Sequence, residues 1–149
     1  MNRSYKTEGL ILRSVPTLEA DRLITVLSPT MGKFRATVKG ARRMKSRLGG
    51  HLDGLNRVML NLVTGRTFEV VTGVEALETF GRLKGSLDRL AQALYLAELV
   101  ERMTPDQDAH LESFSILLKG LRYINSKGIN PTVVRYLELQ VISDSGYMP

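Results

Sequence analysis

The hydrophobic pattern of the chain changes its period near Phe80, and this change limits the fold more than any other feature. Between Tyr5 and Thr79, apolar residues alternate with polar ones or form short β-branched runs, as in strands. After Phe80 they recur every three or four residues, as in amphipathic helices. The pattern therefore predicts an α+β chain, with a β domain over residues 1–80 and a helical domain over residues 81–149.

Five β-rich runs lie in the first half, and the fourth alternates most clearly. Val58, Leu60 and Leu62 share one face of that run, which predicts a sheet with one side toward a core. The predicted strands cover residues 8–13, 22–27, 33–39, 55–64 and 67–78. Five short strands favour an OB-type barrel, although strand count alone leaves an SH3-like barrel open.

Turn-forming residues separate these strands. Pro29 and Gly32 predict a tight turn between the second and third strands, because proline fixes φ and glycine accepts a positive φ. Residues 64–66 suit a short hairpin between the last two strands. Residues 40–54 are too polar and too rich in glycine for a strand, so they predict a long loop between the third and fourth.

Three leucine-rich stripes predict three helices after Phe80. The first stripe comprises Leu83, Leu87, Leu90, Leu94 and Ala97, widened by Leu96, Leu99, Val100 and Met103. The second comprises Leu111, Phe114, Leu117, Leu118, Leu121 and Ile124, and the third comprises Val134, Leu137, Val141 and Ile142. We expect all three stripes to lie in the core, because an amphipathic helix must bury its apolar face.

The ends of these helices are marked by residues with known capping roles. Pro105 ends the first helix, and Gly128 ends the second because glycine accepts a left-handed conformation. Asn130 and Pro131 predict the N-cap and the first residue of the third helix. That helix should stop near Gly146.

Basic residues are concentrated in one segment of the first half. Residues 1–80 hold 13 Lys and Arg against 7 Asp and Glu, whereas residues 81–149 hold 8 against 8, so the net charge of +6 lies in the first half. Seven of the cations fall between positions 33 and 47, with no acid among them: Lys33, Arg35, Lys39, Arg42, Arg43, Lys45 and Arg47. Such an excess attracts phosphates and releases their counterions, which predicts a polyanion as the partner.

These seven cations divide between a strand and a loop. The first three stand at alternating positions of the third strand, so we expect them on one sheet face. The other four follow on the loop, where glycines let the backbone approach a phosphate chain. Only Tyr5, Phe34 and Phe68 supply aromatic rings before residue 80, so we expect contacts mainly to the nucleic-acid backbone, with weak sequence selectivity.

The sequence gives little support to metal, membrane or secreted classes. There is no cysteine, and the two histidines, His51 and His110, form no metal-ligand pattern, so we predict no metal and no other cofactor. No apolar run is long enough to span a membrane, and residues 1–10 lack the apolar core of a signal peptide. We expect a cytoplasmic, nucleoid-associated protein.

Two pairs of acids would suit a Mg²⁺-dependent nuclease: Glu19 with Asp21, and Asp106 with Asp108. The first pair also fits a chain turn before the second strand, and the second fits a loop ahead of a helix, where acids are favoured. No phosphate loop is present, because Phe34 stands where Ser or Thr would be needed. We therefore expect a binding protein and no enzyme.

Several segments resemble the bacterial RecO family of DNA repair proteins, which are recombination mediators. The similarity lies in residues 7–13, 19–23, 32–33 and above all 39–47, and it continues in residues 93–99, 104–105, 135–139 and 146–149. It implies an OB fold followed by a helical domain, binding of single- and double-stranded DNA, and strand annealing. The seven cations match basic positions of the family. Arg13 and Arg22 also match, and we expect them to support the barrel by capping carbonyls or by pairing with Glu19 or Asp21.

The resemblance also implies partners. It implies cooperation with RecR in loading RecA onto DNA that is coated by single-strand-binding protein, without ATP or another cofactor. An RNA-binding or ribosome-associated barrel protein remains the alternative, because the same basic segment would serve it.

Overall fold

A computed structural model describes residues 3–17, 21–39, 49–106 and 111–146. The five strands are β1 (Ser4–Pro16), β2 (Arg22–Ser28), β3 (Gly32–Val38), β4 (Arg57–Val63) and β5 (Glu69–Glu78). The helices are α1 (Gly81–Lys84), α2 (Leu87–Met103), α3 (Leu111–Lys127) and α4 (Pro131–Asp144), and a short 3₁₀ helix, Gly49–Leu52, precedes β4. The predicted class, strands followed by helices, is confirmed.

The strands close into a barrel in the order β1-β2-β3-β5-β4. β1, β2 and β3 follow one another and β4 returns to lie beside β1, which is the Greek-key arrangement. β5 closes the ring by pairing antiparallel with β4 and parallel with β3, where Ala36 faces Glu69 and Thr37 faces Val70. A five-stranded Greek-key barrel is the OB architecture that the sequence favoured.

Alternation along the strands fills the inside of this barrel. Phe34, Ala36 and Val38 of β3 are buried, while Arg35 between them is exposed. The predicted inward set of β4 is confirmed. The inner cluster comprises Ile11, Ile24, Val26, Phe34, Ala36, Val38, Leu52, Val58, Leu60 and Leu62. Gly32 has a φ of 73°, as the predicted turn between β2 and β3 requires.

The predicted first helix is wrong as a single element, because the chain breaks it between Lys84 and Leu87. Ser86 is extended, and its hydroxyl accepts a hydrogen bond from the Arg89 N–H as the N-cap of α2. Leu83 therefore lies in the core, whereas Leu87 is 83% exposed. The expected stripe crosses a break and so does not form one face.

The break at Ser86 also changes which residues α2 buries. Its buried residues are Ala93, Leu96, Ala97 and Val100, and the predicted core residue Leu94 is 47% exposed. Leu111, at the start of α3, is 59% exposed and also lies outside the core, while the rest of its stripe is buried.

The predicted ends of α3 and α4 are confirmed. Gly128 follows α3 with a φ of 92°, and the Arg89 guanidinium donates to the Asn125 carbonyl at 2.9 Å at that end. The Asn130 side chain accepts from the N–H groups of Thr132 and Val133, at 3.0 and 3.3 Å, and Pro131 begins α4.

One apolar cluster joins the barrel to the helices. Leu10, Leu12, Leu27 and Leu55 lie outside the inner cluster and pack instead with buried residues of the four helices. Phe80, whose φ of 54° turns the chain from β5 into α1, belongs to the same cluster. The helices therefore cover one part of the barrel surface, and their position is set by apolar burial.

A charged network reinforces this junction. Glu78, at the end of β5, accepts from Arg57 of β4 and from Arg122 of α3, each at 2.6 Å. Arg57 also donates to Glu8 of β1 at 2.6 Å. Hydrogen bonding to Arg122, followed by Arg57, holds the pKa of Glu78 below its ordinary value, although partial burial opposes this shift.

We expect Glu78→Gln to lower the free energy of unfolding at pH 7 by about 1 kcal/mol, because half-exposed Arg122 limits the strength of the network. The lowered pKa stabilises the fold above the ordinary Glu pKa of 4.5, and this contribution is lost as the pH falls below it. Urea unfolding of both proteins between pH 3 and 7 should therefore show a difference that shrinks on acidification. The control is Glu98→Gln, which breaks only an exposed pair with Arg102. A difference that stayed constant across this range would assign the effect to packing.

Candidate nucleic-acid interface

The structure places three of the seven predicted cations. Lys33 and Arg35 belong to β3, and Lys39 follows directly after it. The remaining four, Arg42, Arg43, Lys45 and Arg47, lie outside the described residues. The described chain runs through β3 to Lys39 and resumes at the 3₁₀ helix, Gly49–Leu52.

Lys33 and Arg35 share the outer side of β3, as predicted, but their surroundings differ. The Lys33 ammonium donates to the Glu101 carbonyl at 2.7 Å and lies 3.4 Å from an Asp106 carboxylate oxygen. Its side chain is only 13% exposed. Glu101 lies in the last turn of α2, where backbone carbonyls favour a cation. Lys33 is therefore bound by the helices, while Arg35 and Lys39 are exposed.

Of the two arginines that we expected to support the barrel, Arg22 makes an expected contact within the barrel and Arg13 contacts a helix. Arg22 donates to the Ser14 carbonyl at 3.0 Å and to the Ser14 hydroxyl at 2.8 Å, which confirms that it caps a carbonyl. Arg13 donates to the Glu101 carboxylate at 2.6 Å. The described partner of Arg13 is thus a helix residue, and Glu19 lies outside the described residues.

The strand register assembles an outer face on β1, β2, β3 and β5. One row runs through Arg13, Thr25 and Arg35, and the next runs through Val15, Leu23, Thr37 and Val70. These seven residues define what we call the outer face. Its second row is uncharged, and Arg35 flanks it on β3 while Lys39 stands beyond the end of that strand. This is the side of an OB barrel, around strands 2 and 3, that suits an extended polymer.

The loop between β4 and β5 adds a cation that the sequence reasoning missed. β5 begins at Glu69, two residues later than predicted, so residues 64–68 form a longer connection than the expected hairpin turn. Arg66 lies in this connection and is exposed. The sequence could have indicated Arg66 through its place between strands 4 and 5, because that loop of an OB barrel borders the nucleic-acid-binding side.

Only one member of each acidic pair, Asp21 and Asp106, lies in the described residues. Asp106 faces the Lys33 ammonium, and the backbone carbonyl of Asp21 accepts from the Thr17 N–H at 2.9 Å. Glu19 and Asp108 lie outside the described residues, as does His110. Across the described ranges, no group of three or more His, Asp or Glu side chains could hold a metal ion. None of the helices in these ranges is long and apolar enough to cross a membrane.

A shallow cleft lies where the basic segment returns to the barrel. Its lining comprises His51, Asp53, Ala76, Thr79 and Lys84. His51 accepts from the Ala76 N–H at 2.9 Å through Nδ1, and Lys84 donates to the Asn56 side chain. Burial lowers the pKa of Lys84. These contacts fasten the end of the segment to β5 and α1.

Family profiles match both halves of the chain. The profile described as "Recombination protein O N terminal" matches residues 1–80, and "Recombination protein O C terminal" matches residues 84–149.

Several curated relatives named "DNA repair protein RecO" are similar over nearly the whole chain. The protein of Roseiflexus sp. (strain RS-1) is 39% identical over 148 residues, which cover 99% of this chain and 52% of the relative. That of Dehalococcoides mccartyi (strain CBDB1) is 30% identical over 145 residues, covering 97% and 57%. That of Myxococcus xanthus (strain DK1622) is 33% identical over 146 residues, covering 97% and 60%. The chain thus spans little more than half the length of these relatives.

The contrast between Lys33 and Arg35 predicts different effects on stability. Lys33→Met should lower the free energy of unfolding by about 2 kcal/mol, because it leaves the Glu101 carbonyl without its charged donor. Arg35→Met, the matched control on the same strand, should change it by less than about 0.5 kcal/mol, because its side chain is exposed. Urea unfolding at neutral pH measures both. Equal losses would show that Lys33 is no more important to the fold than its neighbour.

Proposed function

The chain belongs to the RecO family of DNA repair and recombination proteins, and on that premise we propose that it binds DNA through the outer face of its barrel as a recombination mediator. The observation that carries the proposal is the placement of Arg35 and Lys39. Both are exposed, and within the described residues neither makes an ion pair. In the sequence, Arg35 and Lys39 are followed directly by Arg42, Arg43, Lys45 and Arg47. The exposed cations at the end of β3 and the four that follow therefore belong to one stretch of chain.

The proposed mechanism is electrostatic. Arg35 and Lys39 hold phosphates against β3, and the four loop cations, Arg42, Arg43, Lys45 and Arg47, extend the contact. Each phosphate contact releases condensed counterions, which favours binding at low salt. Two strands brought to such a surface repel each other less, because the cations screen their phosphates. Base pairing itself then drives annealing, so the proposed function needs no nucleotide hydrolysis and no cofactor.

Lys33 has a different part in this proposal. Its ammonium is already bound by α2 and by Asp106, so we assign it to positioning β3 against the helices. Arg13 has a similar part, because its guanidinium pairs with Glu101 at the edge of the outer face.

The partners and the location follow from the family. We propose single- and double-stranded DNA as ligands, RecR as a direct partner, and single-strand-binding protein and RecA as components of the same process in the cytoplasm. The family membership supports these assignments. RNA is the alternative ligand, since phosphate contacts do not distinguish it from DNA.

The first experiment is fluorescence-anisotropy binding of a labelled DNA single strand over a salt series, beside the corresponding duplex and an RNA of equal length. We expect a slope of log affinity against log salt of about −3 to −5, which corresponds to roughly four to seven phosphate contacts. Tighter binding of RNA would favour the alternative ligand, since only an RNA site uses the 2′-hydroxyl. No binding to any strand at low salt would overturn the proposal.

Charge reversal tests which cations carry the binding. We expect Arg35→Glu with Lys39→Glu, and separately Arg42→Glu with Arg43→Glu, each to weaken DNA binding at least about tenfold, because two phosphate contacts become repulsive. The matched control is Lys119→Glu with Arg135→Glu, which makes the same change in net charge at exposed positions of α3 and α4.

The control should weaken binding less than about threefold, through the net charge alone. Thermal unfolding checks that each variant is folded. Equal effects of all three pairs would mean that binding follows net charge and has no site on the barrel.

A further inference from the structure

One aromatic ring of the barrel has no role in either apolar cluster. Phe34 is 4% exposed inside the barrel, and Tyr5 packs against the same inner cluster while its hydroxyl donates to Glu69. Phe68 is partly exposed and belongs to neither the inner cluster nor the cluster beneath the helices. Packing in the described core therefore does not explain why an aromatic residue stands at position 68.

The pairing of β5 with β3 brings Phe68, which directly precedes β5, next to the outer face. Glu69 pairs with inward-facing Ala36 and accepts from Tyr5, so it lies on the inner side. Val70 pairs with Thr37 in the uncharged row of the outer face. Phe68 stands one position before Glu69, and Arg35 stands one position before Ala36, so the parallel pairing brings the two residues close together.

The turn that precedes Phe68 fixes its position. A Cβ atom built on Gly65 would lie 2.0 Å from the Phe68 carbonyl oxygen, so the chain folds back on itself there more closely than any side chain allows. Arg66 and Thr67, at the tip of the connection, are exposed. Phe68 is thus held close to one exposed arginine of β3, Arg35, and follows another, Arg66, by two residues.

We infer that Phe68 is a base-stacking residue that makes this surface prefer single-stranded DNA to duplex, an inference that rests on the proposed function. A ring beside cations suits a single strand, since a base can stack on the ring while the adjoining phosphates meet Arg35 and Arg66. The uncharged row formed by Val15, Leu23, Thr37 and Val70 accepts neighbouring bases without a desolvated charge. A duplex offers the same phosphates, but its bases are stacked on each other and cannot reach the ring.

The test is anisotropy binding of a DNA single strand, the same strand with its central bases removed, and a duplex, at one salt concentration. Phe68→Ala should weaken binding of the single strand about tenfold, within the range known for loss of one stacked base. Binding of the duplex and of the base-free strand should change less than about twofold, and the salt slope should stay the same. Phe68→Trp keeps an aromatic ring and should bind the single strand as tightly as the wild type does.

Two controls separate stacking from structure. Leu77→Ala removes an exposed apolar side chain of β5 and should leave all three affinities unchanged. Phe68→Leu keeps an apolar side chain without an aromatic ring, so it should bind the single strand as weakly as Phe68→Ala while unfolding at the wild-type temperature. It replaces Phe68→Ala in the comparison if the alanine variant does not fold.

The outcomes distinguish the two proposals. If the wild-type chain binds none of the three ligands, the proposed function itself fails. If it binds them and the Phe68 variants bind the single strand as the wild type does, the inference is overturned while DNA binding stands. An equal loss of affinity for single strand and duplex would overturn it as well, because removing a stacking ring should not weaken the binding of a duplex.

Discussion

The packing of helices over Leu10, Leu12, Leu27 and Leu55 determines how the rest of the structure is arranged. These side chains point away from the barrel interior, so without the helices they would be exposed to water. Covering them brings the end of α2 against β3, where the Glu101 carbonyl meets Lys33. The helices cover that row of the sheet, while Arg35, in the next row, stays exposed. One strand therefore carries a cation that serves the fold and, two residues later, one that is exposed.

The pairing of charges differs in the same way between the part of the barrel near the helices and the exposed part. Near the helices, three cations of the barrel are paired: Arg13 with Glu101, Lys33 with Asp106, and Arg57 with Glu8 and Glu78. These pairs use acids that would otherwise reduce the positive potential of the barrel. Arg35, Lys39 and Arg66 have no such partner among the described residues. Among the described residues, these exposed cations are thus not neutralised by acids, which is the condition for attracting a polyanion.

Local signals in the sequence predicted the elements well, because their causes are local. Alternation in β4 and the Asn130–Pro131 cap each depend on neighbours within a few residues. The break at Ser86 was missed because the leucine spacing continues across it, although Gly85 and the N-cap Ser86 separate Leu83 from Leu87. Contacts of Lys33 could not be predicted, since Glu101 is 68 residues away in the chain and side-chain spacing carries no information about such a partner.

The same limit applies to the outer face, where Arg35 and Phe68 become neighbours only through the parallel pairing of β3 with β5. A surface with several cations and a single ring would obtain most of its affinity from counterion release and only a small part from a base. Stacking on a ring accepts any base, since every base has a π face. On the proposed function this balance is what a mediator needs, because it must act on whatever sequence is damaged, and a base-specific hydrogen-bonding site would confine it to a few.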